Sequence, residues 1–220
     1  MRQSATTGDS ELDPISLQAI LDLFERERFR GAHLEIGTAA GGTLKSMLQW
    51  YSNKGDVPDF HVVDPMTYFP NQLNIVKKNI EKADLSLEGV SFHVGTSKER
   101  YHLDSAAVTS FDFILIDGSH KAHHVVWDLL WLSKLAIGGV VVFDDYQAGF
   151  NGVDFVVDRF LARRHDFKVI DQKGRALFVK RVGLSGRFMV SWQDLVLAKI
   201  MTPLFQIKVS SQKRLRRFFS

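Results

Sequence analysis

The sequence contains no cysteine. Disulfides, thiolate zinc or iron–sulfur sites and a cysteine nucleophile are therefore excluded, and the absence fits a reducing compartment. There is no uninterrupted apolar stretch of about 18 residues, so no transmembrane helix is expected. Residues Met1 to Pro14 are polar and acidic and lack the apolar core of a signal peptide. A cytoplasmic protein is expected. Low-complexity runs and internal repeats are also missing.

What remains is 220 residues, 45% hydrophobic and 24% charged, which suits one soluble α/β domain with short additions. The net charge of +3 conceals an asymmetry. Residues 183–220 carry seven Lys or Arg and one acid, a charge of +6, which leaves −3 on the rest. The basic character belongs to a tail, so whole-chain charge does not argue for a nucleic-acid enzyme. Three regions are expected: a flexible N-terminus over 1–13, a domain over 14–182 and a basic extension over 183–220. Within the extension, Val190 to Phe205 reads as a helix packing on the body or on a second subunit. The Lys213–Phe219 run reads as a solvated end; contact with an anionic membrane surface or with nucleic acid is its alternative.

Along the domain, helical and strand patterns alternate. A helix follows Asp13-Pro14, and His33–Ile36, His61–Asp64, Val90–Val94, Phe111–Ile116 and Val140–Phe143 read as strands. Between them, Thr43–Tyr51, a segment around Leu73 to Ala83, and Ala122–Ala136 read as helices, the last closed by Gly138-Gly139. A helix over about 153–164 precedes two strands, Phe167–Asp171 and Ala176–Arg181, joined by a turn at Lys173-Gly174. The expected fold is a doubly wound, Rossmann-like, mostly parallel seven-stranded sheet with an antiparallel edge hairpin.

In such a sheet ligands bind beyond the carboxyl ends of the strands. Those positions hold Glu35-x-Gly37-x-x-x-Gly41, Asp64, Gly95-Thr96-Ser97, Asp117-Gly118-Ser119-His120 and Asp144-Asp145. A glycine turn lets backbone approach a ligand, and the helix behind it favours an anion. An acid at the end of the second strand can bind two ribose hydroxyls. These two features also fit a nicotinamide-binding oxidoreductase, although the glycine spacing differs from G-x-G-x-x-G.

Leu34-Glu-Ile-Gly-Thr-Ala-Ala-Gly-Gly42 resembles the first motif of class I S-adenosylmethionine (SAM)-dependent methyltransferases. Phe113-Ile-Leu-Ile-Asp-Gly-Ser-His120 and Gly138-Gly-Val-Val-Val-Phe-Asp-Asp145 resemble later motifs of the small-molecule O-methyltransferases typified by catechol and macrocin-type enzymes. The resemblance spans roughly Pro14 to Arg181. It implies that Gly37 and Gly41, with Glu35 and Thr38, line the amino-acid end of SAM. It places Asp64 on the ribose, Thr96 and Ser97 near the adenine, and Asp117 beside the cofactor. It makes Asp117, Asp144 and Asp145 ligands of a divalent metal, Mg²⁺, and His120 the general base acting with Asp117.

The chemistry is coherent, since carboxylates are hard ligands suited to Mg²⁺ and an unperturbed histidine, with a pKa of about 6.5, accepts a proton near neutrality. The acceptor implied is a small hydroxylated molecule, and a homo-oligomer is allowed. His120 and His124 have the spacing of a zinc pair, but the glutamate of H-E-x-x-H is missing. His123 and His124 read as surface residues, and Trp127 and Trp131 as core. Tyr146 lines the acceptor pocket or packs, and Met66–Asn71 with Tyr146–Asn151 are placed as its lid. A non-catalytic scaffold using the basic tail is the remaining alternative, and the acids at 117, 144 and 145 argue against it. Nucleic acid is not the expected partner, for there is neither an Asn-Pro-Pro-Tyr-like motif nor a cysteine for pyrimidine attack.

Overall fold

A computed structural model describes residues 10–104, 107–108 and 110–218, the last twelve by backbone alone. The proposed flexible segment thus lies mostly outside the described residues, as do the side chains of the basic run near the C-terminus. In order, the elements are α1 (Pro14–Glu27), β1 (Ala32–Ile36), α2 (Gly42–Ser52), β2 (Phe60–Asp64), α3 (Gln72–Glu81), β3 (Val90–Val94), α4 (Ser97–Asp104) and β4 (Phe111–Ile116). These are followed by α5 (Ala122–Asp128), a 3-10 segment (Leu129–Lys134), β5 (Leu135–Phe143), α6 (Asn151–Arg163), β6 (Phe167–Lys173), β7 (Ala176–Arg181) and α7 (Trp192–Phe218).

The seven strands form one sheet in the order β3-β2-β1-β4-β5-β7-β6. The first five are parallel to their neighbours, and β7 runs antiparallel between β5 and β6. The expected doubly wound sheet and its antiparallel edge are both present. Central strands covered on two faces read as continuous apolar runs, and the side-chain period of two divides them. Phe113, Leu115, Val140 and Val142 face a core with α1, α2 and α3. Ile114, Ile116, Val141 and Phe143 face the other, with α5 and α6.

Local chemistry sets the boundaries that matter for the site. Asp13 caps α1, its Oδ1 accepting from the backbone N–H groups of Ile15 and Ser16 at 3.1 Å, with Pro14 opening the first turn. Leu12, just before the cap, is buried. The α1 side chain Phe24 is fully buried, 4.8 Å from Phe113 between ring centroids and 5.1 Å from Tyr51.

Two expectations are corrected. The segment from Ala122 does not run as one helix to Ala136, because α5 ends at Asp128 and tightens into the 3-10 segment. Gly138-Gly139 does not close a helix either; it lies inside β5. The strand starts early because Leu135 already pairs with Phe111, and the pairing shifts register between Phe111 and Phe113. A β-carbon on Gly139 would stand 2.9 Å from the Asp112 carbonyl, so the small residue serves strand packing. Unforeseen is α4, whose side chains include none that is fully buried, so no apolar stripe announces it. Finally, α7 packs on the body: Ala198 is buried, Phe205 meets Phe155, and Asp194 pairs with Arg163 at 2.7 Å.

Candidate functional site

The order of the sheet reverses between β1 and β4, and a crevice opens there, as the topology requires. Backbone bonds stagger the strand ends into a row: Gly37 N donates to Val63 O, Asp117 N to Ile36 O and Asp144 N to Ile116 O, at 2.9 to 3.0 Å. Gly37 has φ +86°, and a β-carbon there would collide with the Asp117 carbonyl. Its first role is therefore to let the ends of β1 and β4 lie side by side. The resulting cavity of about 1490 Å³ is larger than the roughly 300–1,000 Å³ of a single-ligand pocket, which leaves room for two small molecules.

On the β1–β2 side the polar groups are tied to one another. The buried Asp64 carboxylate accepts from Thr38 N at 3.0 Å, from Met66 N at 2.6 Å and from Gln72 Nε2 at 3.3 Å. Gln72 also donates to Ala39 O, fixing the glycine turn against α3. Gly41 precedes α2 and packs on Val76. Below them Glu35 is fully buried, and neither its carboxyl oxygens nor the Thr38 hydroxyl finds a hydrogen-bond partner. Burial pushes the Glu35 carboxyl up to about 8, with the Asp64 charge acting in the same direction.

At the far end, Thr96 and Glu99 form a capping box for α4: the Thr96 backbone N–H donates to Glu99 Oε2 at 3.0 Å, and Glu99 N to Thr96 Oγ1 at 3.3 Å. Thr96 and Ser97 both line the cavity, and the buried Ser97 hydroxyl lacks a partner. Two residues of α5 complete this end and went unrecognised in sequence. Trp127 lines the cavity half-buried, with Lys98 Nζ 4.6 Å from its ring centroid. Asp128 is buried, and that burial raises its carboxyl to about 7. Trp131, by contrast, is fully buried core, as expected.

On the β4–β5 side the acids converge. Asp117 is raised well above the usual carboxylate range by burial, then by Asp144, Glu35 and Asp145. Asp144 is pushed up to about 6 by burial and by Asp145. Asp145, at φ +57°, turns back into the crevice, where its Oδ2 lies 2.7 Å from His120 Nε2. The His120 ring packs on Phe150, centroid to centroid 4.0 Å. Arg175, in the turn between β6 and β7, reaches the same acids, with Nη1 2.8 Å from Asp145 Oδ1 and Nη2 4.0 Å from Asp144 Oδ2. Nothing in the local sequence singles Arg175 out. Only the antiparallel placement of β7 beside β5 brings it there.

Pro65, Thr67, Tyr68, Phe150 and Asn151 line the mouth, within or beside the segments expected to cover it. Tyr146 turns outward to donate to Asp158 at 2.7 Å. Thr202 and Phe205 of α7 line the cavity too, and Thr202 Oγ1 is 3.0 Å from His123 Nδ1. His123 and His124 thus border the cavity rather than only the outer surface.

A family model described as a methyltransferase domain matches residues 34–146. The chain belongs to this family. The resemblance to methyltransferases carried by the motifs at Leu34–Gly42, Phe113–His120 and Gly138–Asp145 is thereby borne out. No curated protein matches the sequence. Among solved structures, this methyltransferase resembles a structural-genomics protein from Corynebacterium glutamicum, at 16% identity and TM-score 0.64, covering 84% of this chain and 88% of that one. It resembles an O-methyltransferase from Bacillus cereus in complex with SAH, at 16% identity and TM-score 0.62, covering 82% and 86%. TomG from Streptomyces achromogenes, an O-methyltransferase involved in tomaymycin synthesis and in complex with SAM, matches at 19% identity and TM-score 0.59, covering 76% and 79%. At these identities the likeness is one of fold.

The metal implied by the resemblance can be tested on the donor set of this methyltransferase. Asp117, Asp144 and Asp145 supply the right atoms, hard carboxylate oxygens. Among the described residues, however, no three acids or histidines are arranged to hold an ion. Asp145 directs one oxygen at Arg175 and the other at His120. The set as built does not fit a divalent cation.

Proposed function

We propose that the protein is a SAM-dependent O-methyltransferase acting on a hydroxyl of a small acceptor, with His120 as the general base. The observation that carries this reading is the His120–Asp145 pair, 2.7 Å long, at the mouth of the crevice that Gly37 and Asp64 form. The cofactor trough fits SAM in its polar atoms: Asp64 faces the cavity for the ribose, and the Ser97 hydroxyl is unpartnered near the Trp127 end. Gly37, Thr38 and Gly41, with Glu35 beneath, would frame the amino-acid end. Thr96 and Asp117 border the same trough.

Bound SAM supplies an electrophilic methyl group. The protein must hold the acceptor oxygen in line with it and remove one proton. Asp145 pairs with His120 Nε2, which orients the ring and stabilises the imidazolium, and leaves Nδ1 to take the hydroxyl proton. The new bond joins oxygen to the methyl carbon, and the electron pair of the broken carbon–sulfur bond stays on sulfur. Phe150 packs against the imidazole, its ring tilted by 31°, and limits the ring's swing.

Calorimetry with SAH tests the binding half: saturable binding is expected, and no binding at millimolar SAH overturns the reading. A panel of catechols and nucleotide sugars, followed by SAH release, tests the transfer half.

A further inference from the structure

We propose that Arg175 is the fixed cation of the reaction centre, standing where a divalent metal would bridge Asp144 and Asp145, so that this chain transfers methyl groups without a metal. The inference rests on the methyltransferase reading above.

Three observations carry it. First, Asp145 stands between two basic side chains: Oδ1 lies 2.8 Å from Arg175 Nη1, an ion pair without hydrogen-bond geometry, and Oδ2 lies 2.7 Å from His120 Nε2. A metal at Asp145 would have to break one of these pairs. Second, Arg175 sits on a built position. Its backbone N–H donates to Ser16 Oγ at 3.0 Å and Asp13 Oδ2 at 3.2 Å, and its carbonyl accepts from Tyr146 N at 2.9 Å. The preceding Gly174, at φ +57°, lies so close to the α1 cap that a β-carbon would stand 2.5 Å from Asp13 Oδ1. The N-cap of α1 and the loop after β5 therefore clamp the turn from both sides. Third, the guanidinium lines the cavity, with 39% of the side chain exposed. It lines the same cavity as His120 and can favour a developing alkoxide there by its charge, as a metal would.

The test is Mn²⁺ binding to the full chain followed by electron paramagnetic resonance, with SAH calorimetry on the same samples. Wild type and Arg175→Lys should bind Mn²⁺ no better than millimolar. Arg175→Ala should gain about tenfold or more, and Asp145→Asn added to it should abolish the gain. Arg175→Gln, uncharged but of similar reach, should show the same gain, and it keeps the test valid where truncation to alanine disturbs the fold. Micromolar Mn²⁺ binding by wild type that Asp145→Asn abolishes would overturn the proposal. So would the absence of any gain in Arg175→Gln while SAH still binds. Failure of SAH to bind wild type would instead sink the methyltransferase reading and leave the Mn²⁺ result to decide the arginine's role.

Discussion

The two sides of the crevice are built on opposite terms. Toward β1 and β2, the carboxylate that meets the ligand is satisfied in advance: three donors hold Asp64, and Gln72 straps the glycine turn. Toward β4, β5 and β7, carboxyls crowd together until Asp117 and Asp144 are displaced upward, and balance comes from Arg175 and His120. The first arrangement suits a binding surface, because preset dipoles lose little on meeting a ligand. The second suits a reacting one, because closely coupled charges respond when a proton moves.

If that division is right, variants on the second side should lower turnover and leave SAH binding nearly intact. His120→Ala should show the largest effect, a loss of about 10²- to 10⁴-fold in SAH release with an active acceptor, as expected for removing a general base. Equal loss of SAH affinity in that variant would erase the division. On the first side, Asp64→Ala should weaken SAH by about 10- to 100-fold, in keeping with the loss of charged hydrogen bonds. Calorimetry measures it directly, and an unchanged affinity would remove Asp64 from the ribose.

Beneath both sides lies Glu35, and it links them through pH. Its carboxyl is held near 8 in the folded chain against 4.5 when free. Between those values the folded state keeps a proton that the unfolded state has released, so stability must fall as pH rises from about 4.5 to about 8. Asp128, raised from 3.8 to about 7, acts with the same sign. In the ligand-free protein Glu35→Gln should flatten this slope, adding roughly 1–3 kcal/mol at pH 8 and little at pH 4.5. Melting temperatures across that range report it. A parallel slope in both proteins would show that folding leaves the Glu35 carboxyl unshifted.

Sequence reading reached the two sides unequally, for a physical reason. Asp64 ends a strand, Gly37, Asp117 and the Asp144-Asp145 pair each directly follow one, and a parallel sheet brings such positions together by topology alone. The strands were legible because the central ones are mostly apolar, interrupted only by His33 and Glu35 in β1 and Asp112 in β4. Arg175 follows β6 in a hairpin turn, and its partners lie 30 and 31 positions earlier in the chain. Its role depends on β7 inserting between β5 and β6, a register no local pattern specifies. Trp127 and Asp128 were obscured differently: α5 is apolar on most sides, so a cavity-facing tryptophan looks like its buried neighbour Trp131. The glycine pair at 138–139 could be read either as a helix end or as close strand packing, and only the pairing of Leu135 with Phe111 separates the two.

Thr96 sharpens the comparison most finely, because the family resemblance and the geometry assign it different work. The resemblance sets it near the adenine, on the binding side. In the structure its hydroxyl donates to Glu99 Oε2 at 2.7 Å and accepts from Glu99 N, closing the first turn of α4. The bonds from the Thr96 hydroxyl and the Thr96 backbone N–H hold the Glu99 carboxyl below its ordinary range. A helix with no fully buried side chain depends more on its cap than one anchored in a core. Thr96→Ala should therefore cost about 1 kcal/mol in stability, and Thr96→Ser should restore most of it. If SAH affinity in Thr96→Ala stays close to wild type while the melting temperature falls, Thr96 shapes the adenine end only by starting α4. A large loss of affinity at unchanged stability would move it into direct contact with the cofactor and extend the pre-paired binding side to the end of β3.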